Sequence, residues 1–403
     1  MTGELDDGDD RMEGSTSSKG LSSSGKALMW LSWTHFLNDG IVNYLPGILP
    51  VVIVVRHVPV ALAGSLMTAL LLGQGLQPVS GWLADRMGGR TLVLGGVALS
   101  TLSSAVFGWA HPVWLVLTLL LLTGIGNTAF HPQALAITRG LVGARQGIGT
   151  SIFLVGGEIG RSFGPLAAGL VVSRFGLPWL WLLAVPFLLS LPMVLRVIPP
   201  QPERLRRAPP LKWRRHFKPA SAMLGYSLVR SATIYELVTL APLIWHQRGG
   251  SLVVGSALVS TLIGVGILGN LMGGIVTDRV GKRGVLVVTS GLALVGLYAF
   301  ITLQGFWIWP ILGLLGIAIF GSSSTTMLIG QDIFSENPGV GSGVALGLAN
   351  GLGAVMVLPL TYIAAHWHAQ TAVWILIVLT LGTIPTIWAM PMGHVQRPSP
   401  GRA

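Results

Sequence analysis

The sequence predicts an all-α membrane protein, with twelve transmembrane helices arranged as two pseudo-symmetric six-helix bundles. Three observations predict it. Hydrophobic residues fill 51% of the 403 positions and charged residues only 10%, against roughly 25% charged in an ordinary soluble domain. That is too little charge to cover a water-facing surface of this size, whereas lipid solvates an apolar one. Apolar stretches long enough to cross about 30 Å of hydrocarbon recur along the chain, and one charged motif returns in the same place in each half.

The elements follow in order. Residues 1–26 carry six acids and then a Ser/Gly-rich stretch. With no separate apolar region or cleavage signature, they are expected to form a disordered cytoplasmic tail. Helices are expected over 28–54, 60–84, 91–110, 113–138, 148–173 and 177–198, making an N-terminal bundle over 27–198. A Pro- and Arg-rich cytoplasmic linker spans 199–219. Helices over 220–245, 251–277, 285–304, 307–330, 340–364 and 370–391 then make a C-terminal bundle over 220–391, with a cytoplasmic tail at 392–403. The third helix of every triplet (the third, sixth, ninth and twelfth) has no interior charge, as a lipid-facing helix should. Asn270 and Asn350 sit among glycines and are expected to donate interhelical hydrogen bonds.

Charge sets the orientation. Outer loops hold only Arg56, Arg174 and Arg248 of the 25 Lys and Arg, and Arg161 and Arg230 fall inside helices; the rest lie on the segments that share a side with the N-terminus. By the positive-inside rule both termini are cytoplasmic. The net charge of +11 is therefore topological, and no nucleic-acid partner is expected. Cysteine is absent, which removes disulfides and thiolate metal sites. No metal cluster, nucleophile triad or cofactor site is visible by spacing, and no enzyme activity is expected. Gly20 to Lys26 nearly spells a phosphate-binding loop, but Ala27 stands where Ser or Thr is needed. Gly264-Val-Gly266-Ile-Leu-Gly269 lies inside a helix, where glycines mean packing.

The internal repeat has an offset of 193 residues. GWLADRMGGR at 81–90 matches GIVTDRVGKR at 274–283, so that Gly81, Asp85, Arg86, Gly88 and Arg90 fall on Gly274, Asp278, Arg279, Gly281 and Arg283. Each copy follows the second helix of its half.

A charge at the bilayer centre is costly, about 2.5–3.5 kcal/mol on insertion scales, and marks function. At about 1.5 Å per residue, Asp39, Glu158 and Arg230 each lie near 15 Å from the cytoplasmic edge, at the depth where transporters bind substrate and coupling ion. Asp39 is the leading candidate for a proton-linked group, with His35 one turn away and Asn38 beside it. Glu158 and Arg161 are spaced to pair on the fifth helix; the pair is either static or opened by a substrate or proton. Arg230 has no acid within one turn, so its partner is Asp39, Glu158 or the substrate. Glu236 lies nearer the outer mouth and is expected to be hydrated there or to touch substrate. In the fourth helix His131 precedes Pro132, with Asn127 a turn before. His131 either relays protons or bonds backbone that the proline frees.

The repeated loop resembles the signature of the major facilitator superfamily, from which it departs at Gly89 and Val276. The resemblance covers nearly the whole chain. It implies that Asp85, Arg86 and Arg90, with Asp278, Arg279 and Arg283 in the second copy, help to hold a cytoplasmic gate. Within that superfamily the chain is most similar to the fosmidomycin-resistance efflux group, on His35-Phe-Leu-Asn38-Asp39, Phe130-His131-Pro132 and Ser151-Ile152-Phe153 through Gly156-Gly157 to Gly164-Pro165. Gly160, Gly164 and Pro165 also resemble the fifth-helix motif of drug/proton antiporters, and small residues there permit close helix packing. Glu158 and Arg161 depart from that group's pattern, so its substrate does not carry over.

The expected activity is secondary transport by alternating access, in the form of proton-coupled export of a small organic compound. Asp39, Glu158, His131 and His35 would couple the proton, and Arg161, Arg230, Asn38, Asn127 and Glu236 would contact substrate. Partners are the substrate, protons and the lipid bilayer of a bacterial inner membrane, a monomer being sufficient. The alternatives are uptake of a small organic anion held by Arg161 and Arg230 and, more remotely, a non-transporting membrane sensor.

Overall fold

The computed structural model describes residues 17–76, 80, 89–142, 146–198, 213–335 and 338–390, and every regular element among them is helical. Asp85 and Arg86, with the rest of the first loop copy up to Gly88, lie outside the described residues, as do 1–16, 199–212 and 391–403.

The first pass is Ser17–Val42 continued by Leu45–Val55. It starts within the segment expected to be a disordered tail; no proline interrupts 17–42, so helix propagates into the polar residues. It breaks at Asn43-Tyr44 because Pro46 has no N–H to give the Val42 carbonyl. The second pass is described over Val60–Leu62 and Ala63–Gly75, the third over Gly89–Phe107, the fourth over Val113–Val142 and the fifth over Gln146–Phe175. Where one regular sixth helix is expected, Leu177–Ala184 is a tighter 3₁₀ segment at Pro178, and Val185–Val197 is α-helical. The seventh, Trp213–Gln247, runs back through part of the expected linker, its first turns polar enough to stand in the headgroup layer.

Leu252–Thr302 is one continuous element of 51 residues, about 76 Å at the helical rise and too long for a single crossing. Gly281, at φ 81° and ψ 157°, divides it into the eighth and ninth passes. No L side chain adopts that backbone cheaply, which explains the glycine of the repeated loop. Ile308–Ile333 is the tenth pass. The eleventh opens at Pro338–Ser342, widens into a π-helical turn over Gly343–Leu348 and continues as Ala349–His366. Ala369–Ala389 is the twelfth.

Burial ranks the passes. Apolar windows of the first and seventh are 72% buried, those of the sixth and twelfth only 28% and 39%. The first and seventh, which carry Asp39, Arg230 and Glu236, are thus central, and the sixth and twelfth show apolar side chains such as Leu189 and Val378 outward.

Glycine decides how the first and fifth passes meet. A Cβ at Gly160 would collide with the Phe36 carbonyl, one at Gly164 with that of Gly40, and one at Gly47 with that of Pro165. Gly160→Ala is therefore expected to cost about 1–3 kcal/mol, read as a lower Tm in detergent. Gly95→Ala, which meets nothing within 4 Å, should leave it unchanged.

Among the described residues, three hydrogen bonds join the halves. Ser256 Oγ donates to the Gly47 carbonyl at 2.7 Å, Ser162 Oγ to that of Ser260 at 3.0 Å, and Thr68 Oγ1 to that of Ala354 at 2.8 Å. All lie toward the end of the bundle whose loops carry few Lys and Arg. At the other end, the repeat is visible in contacts made within each half. Arg90 donates to the Leu195 carbonyl at 2.6 Å, and Arg283 lies 5.9 Å from the Trp388 ring centroid. The same 193-residue offset relates Leu195 to Trp388, so each loop arginine ties the third helix of its half to the sixth. Asp278 and Arg279 are exposed, and Lys282 pairs with Asp332.

Candidate functional site

The sequence of the first helix puts His35, Asn38 and Asp39 on adjoining faces, and the structure turns all three inward; their exposures are 3%, 0% and 1%. Gly157 makes room for the imidazole, since a Cβ there would enter the His35 ring. Phe153 stacks on that ring at a centroid distance of 4.2 Å, and Phe130 lies beside both rings, tilted, 5.5 Å from that of His35.

The fourth helix completes the cluster. His131 Nε2 is 3.2 Å from Asp39 Oδ1 and 3.1 Å from His35 Nε2, and His35 Nε2 is 3.5 Å from Asp39 Oδ2. The other nitrogen of each ring is fixed by backbone. His35 Nδ1 is 2.8 Å from the Phe153 carbonyl and His131 Nδ1 is 3.0 Å from that of Asn127. A carbonyl only accepts, so both Nδ1 atoms carry hydrogen. His131 thus bonds the carbonyl one turn back, rather than that of Thr128, which Pro132 leaves without its N–H.

Asp39 Oδ1 accepts from Asn38 Nδ2 at 3.3 Å, but the two Nε2 atoms then face each other and the carboxylate as acceptors, an arrangement that one added hydrogen satisfies. The fifth helix supplies charge at the rim. Arg161 Nη2 donates to Asp39 Oδ2 at 3.4 Å, and Nη1 lies 3.5 Å from Glu158 Oε1. His131, Glu158 and Arg161 are 22%, 18% and 33% exposed, so the buried carboxylate is reached past half-covered neighbours.

The three donor atoms also suit a metal. Tetrahedral bonds of about 2.0–2.1 Å give ligand separations near 3.3 Å, and His35, Asp39 and His131 form a group of that size. The expectation of no metal cluster is corrected to that extent. Spacing hides the group because its histidines stand 96 residues apart. Charge favours a proton as the occupant. Asp39, Glu158 and Arg161 sum to one negative charge, which a single proton neutralises and a divalent ion overshoots.

Other expected contacts land elsewhere. Asn38 donates to Asn127 Oδ1 at 2.7 Å and accepts from Ser100 at 2.8 Å. Both asparagines are buried and brace the first, third and fourth helices. Glu236 is fully buried, and Thr361 Oγ1 donates to its two oxygens at 3.3 and 3.2 Å; it is neither hydrated nor at a mouth. Depth along a helix is legible in sequence, but the direction a side chain takes around the axis is not. Arg230 meets neither Asp39 nor Glu158. Its Nη2 donates to Ser231 Oγ at 3.0 Å, which in turn donates to Asn350 Oδ1 at 2.7 Å. The Asn350 side chain, like that of Asn270, whose Oδ1 accepts from Ser324 Oγ, accepts where a donor was expected. Sequence reasoning missed Tyr235, which lies within electrostatic reach of both Arg161 and Arg230; its hydroxyl in a charged helix was the available signal.

A family model described as Major Facilitator Superfamily matches residues 31–358. The chain belongs to the major facilitator superfamily. It is 24% identical to an uncharacterized MFS-type transporter, YfnC, of Bacillus subtilis (strain 168), over 80% of this chain and 82% of that one. It is 25% identical to the fosmidomycin resistance protein of Escherichia coli (strain K12), over 83% and 86%. A crystal structure of the nucleoside transporter NupG superposes with a TM-score of 0.74 at 15% identity, covering 90% of this chain and 99% of that one, which shows the shared fold. This superfamily member is thus a multi-pass membrane protein of a transporter family, built on twelve helices.

Proposed function

We propose that this protein is a proton-coupled secondary transporter that exports a small organic compound by alternating access. The observation that carries the reading is the meeting of His35 Nε2, His131 Nε2 and the Asp39 carboxylate within 3.5 Å, in a site that balances its charge with one proton. That proton sits on the imidazole pair beside Asp39. When it leaves, Arg161 shifts its share between Asp39 and Glu158 to hold the remaining charge. Similarity to the fosmidomycin resistance protein supports export over uptake. Asp85, Arg86, Asp278 and Arg279 serve the gate on the cytoplasmic side of a bacterial inner membrane, with both termini there and one chain sufficient.

The test is transport by purified protein in sealed vesicles, with a compound panel, an imposed pH gradient and a pH-sensitive dye inside. Export predicts that a compound moves against the proton flow and that protons move only when it is present. Movement of compound and protons in the same direction means uptake, and movement of compound without protons removes the coupling altogether.

A further inference from the structure

Of the five charges deep in the spans, Asp39 and Glu158 share Arg161, though Glu158 Oε2 is left without a hydrogen bond, and Glu236 meets only the Thr361 hydroxyl. Arg230 is the one cation among them that meets no carboxylate. Among the described residues no carboxylate pairs with it. A guanidinium offers five N–H donors; here Nη2 reaches only Ser231, and Nε is buried with no hydrogen-bond partner. Glu236 is six residues further along the same helix, about 240° around it, and faces the eleventh pass.

The space beside Arg230 sets the guanidinium and several hydroxyls in an otherwise apolar wall that includes Val229, Ala293, Ala318 and Ile319. A cavity of about 30 Å³ is lined by Arg230 with Tyr226, Thr233, Ser290, Ser322 and Thr383, drawn from the seventh, ninth, tenth and twelfth passes. The Tyr226 and Ser290 hydroxyls lie 3.1 Å apart, so the pair spends one hydrogen on itself and keeps one free to donate. Such a volume fits one small anionic head, not a drug-sized body. On another side Tyr235 stands within reach of both Arg230 and Arg161, which brings the two guanidiniums, one from each half, toward one region.

We propose that Arg230 is the binding site for the carboxylate head of the transported compound, and that the substrates are small organic monoanions. The proposal rests on the transporter reading. Arg161 is excluded from the role because two carboxylates already occupy it. Arg230 keeps the planar fork of donors that a carboxylate matches with two parallel hydrogen bonds. A carboxylate there supplies the counter-charge that Arg230 does not find among the described residues.

The test is equilibrium binding to purified full-length protein in chloride-free buffer, followed by thermal stabilisation and tryptophan fluorescence. The probes are acetate, benzoate and 3-phenylpropionate, their uncharged amides, and chloride. At least one carboxylate should raise the melting temperature saturably while its amide does not. Arg230→Gln should weaken that binding tenfold or more, and Arg230→Lys should retain part of it. Equal binding of acid and amide overturns the proposal, as do silence of every carboxylate, saturation by chloride alone, or undiminished binding in Arg230→Gln. If Arg230→Gln does not fold, the wild-type preference for acid over amide and the Arg230→Lys response decide. No pH gradient is involved, so failure here leaves proton coupling standing, and loss of proton coupling in vesicles leaves this binding result intact.

Discussion

Asp39→Asn is expected to insert, fold and still exchange labelled for unlabelled compound across a membrane, yet never accumulate it. Asparagine keeps the size of the side chain but carries no charge and cannot hold an imidazolium beside it. A pH gradient of one unit stores about 1.4 kcal/mol per proton, enough for about a tenfold concentration ratio with one proton per cycle. The wild type should approach that ratio in vesicles, and Asp39→Asn should stay at unity. His35→Gln and His131→Gln, which remove one ring each, should fall in the same direction. Full accumulation by Asp39→Asn would take this residue out of the mechanism.

A disulfide across the halves should have an equally large effect. The chain has no cysteine, so an introduced pair reacts only with itself. A Cβ built at Gly75 of the second pass would lie 3.6 Å from Gly351 Cα, and one built at Gly351 would lie 3.8 Å from Gly75 Cα, which brings the two Cβ positions near disulfide range. Gly75→Cys with Gly351→Cys should cross-link on mild oxidation, seen as a mobility shift on a gel. Transport should then drop to background and return on reduction, because alternating access requires these passes to separate. Undiminished transport by the cross-linked protein would mean that the second and eleventh passes keep their contact throughout the cycle.

Much of this was legible in the sequence, and the boundary of what was legible has a physical cause. Apolar length and Lys/Arg placement show where helices cross, and residue counting shows how deep Asp39, Glu158 and Arg230 lie. Periodicity puts His35 on the face of Asp39. The choice of Arg161 over Arg230 as the partner of Asp39 depends on which helices touch. That is settled by Gly160 and Gly164 against Phe36 and Gly40, contacts more than a hundred residues apart in the chain. Glu236 shows the same limit, since hydropathy gives its height but the bond to Thr361 depends on rotation about the helix axis. The π-helical turn at Gly343–Leu348 replaces the regular helix expected there, in a stretch where Gly330 and Gly341 bring two backbones into contact. Glycine spacing marks such places without saying which backbone will approach.

The proposed proton, held between two imidazoles next to an ionised Asp39, is observed directly by ¹⁵N NMR of protein labelled at its histidines. The wild type at neutral pH is expected to show two ring pairs with hydrogen on Nδ1 and a single further hydrogen shared by their Nε2 atoms. Those signals should be absent in His35→Gln and altered in Asp39→Asn. Two neutral rings with bare Nε2 atoms, or a metal-shifted Nε2 signal that a chelator abolishes, would contradict it.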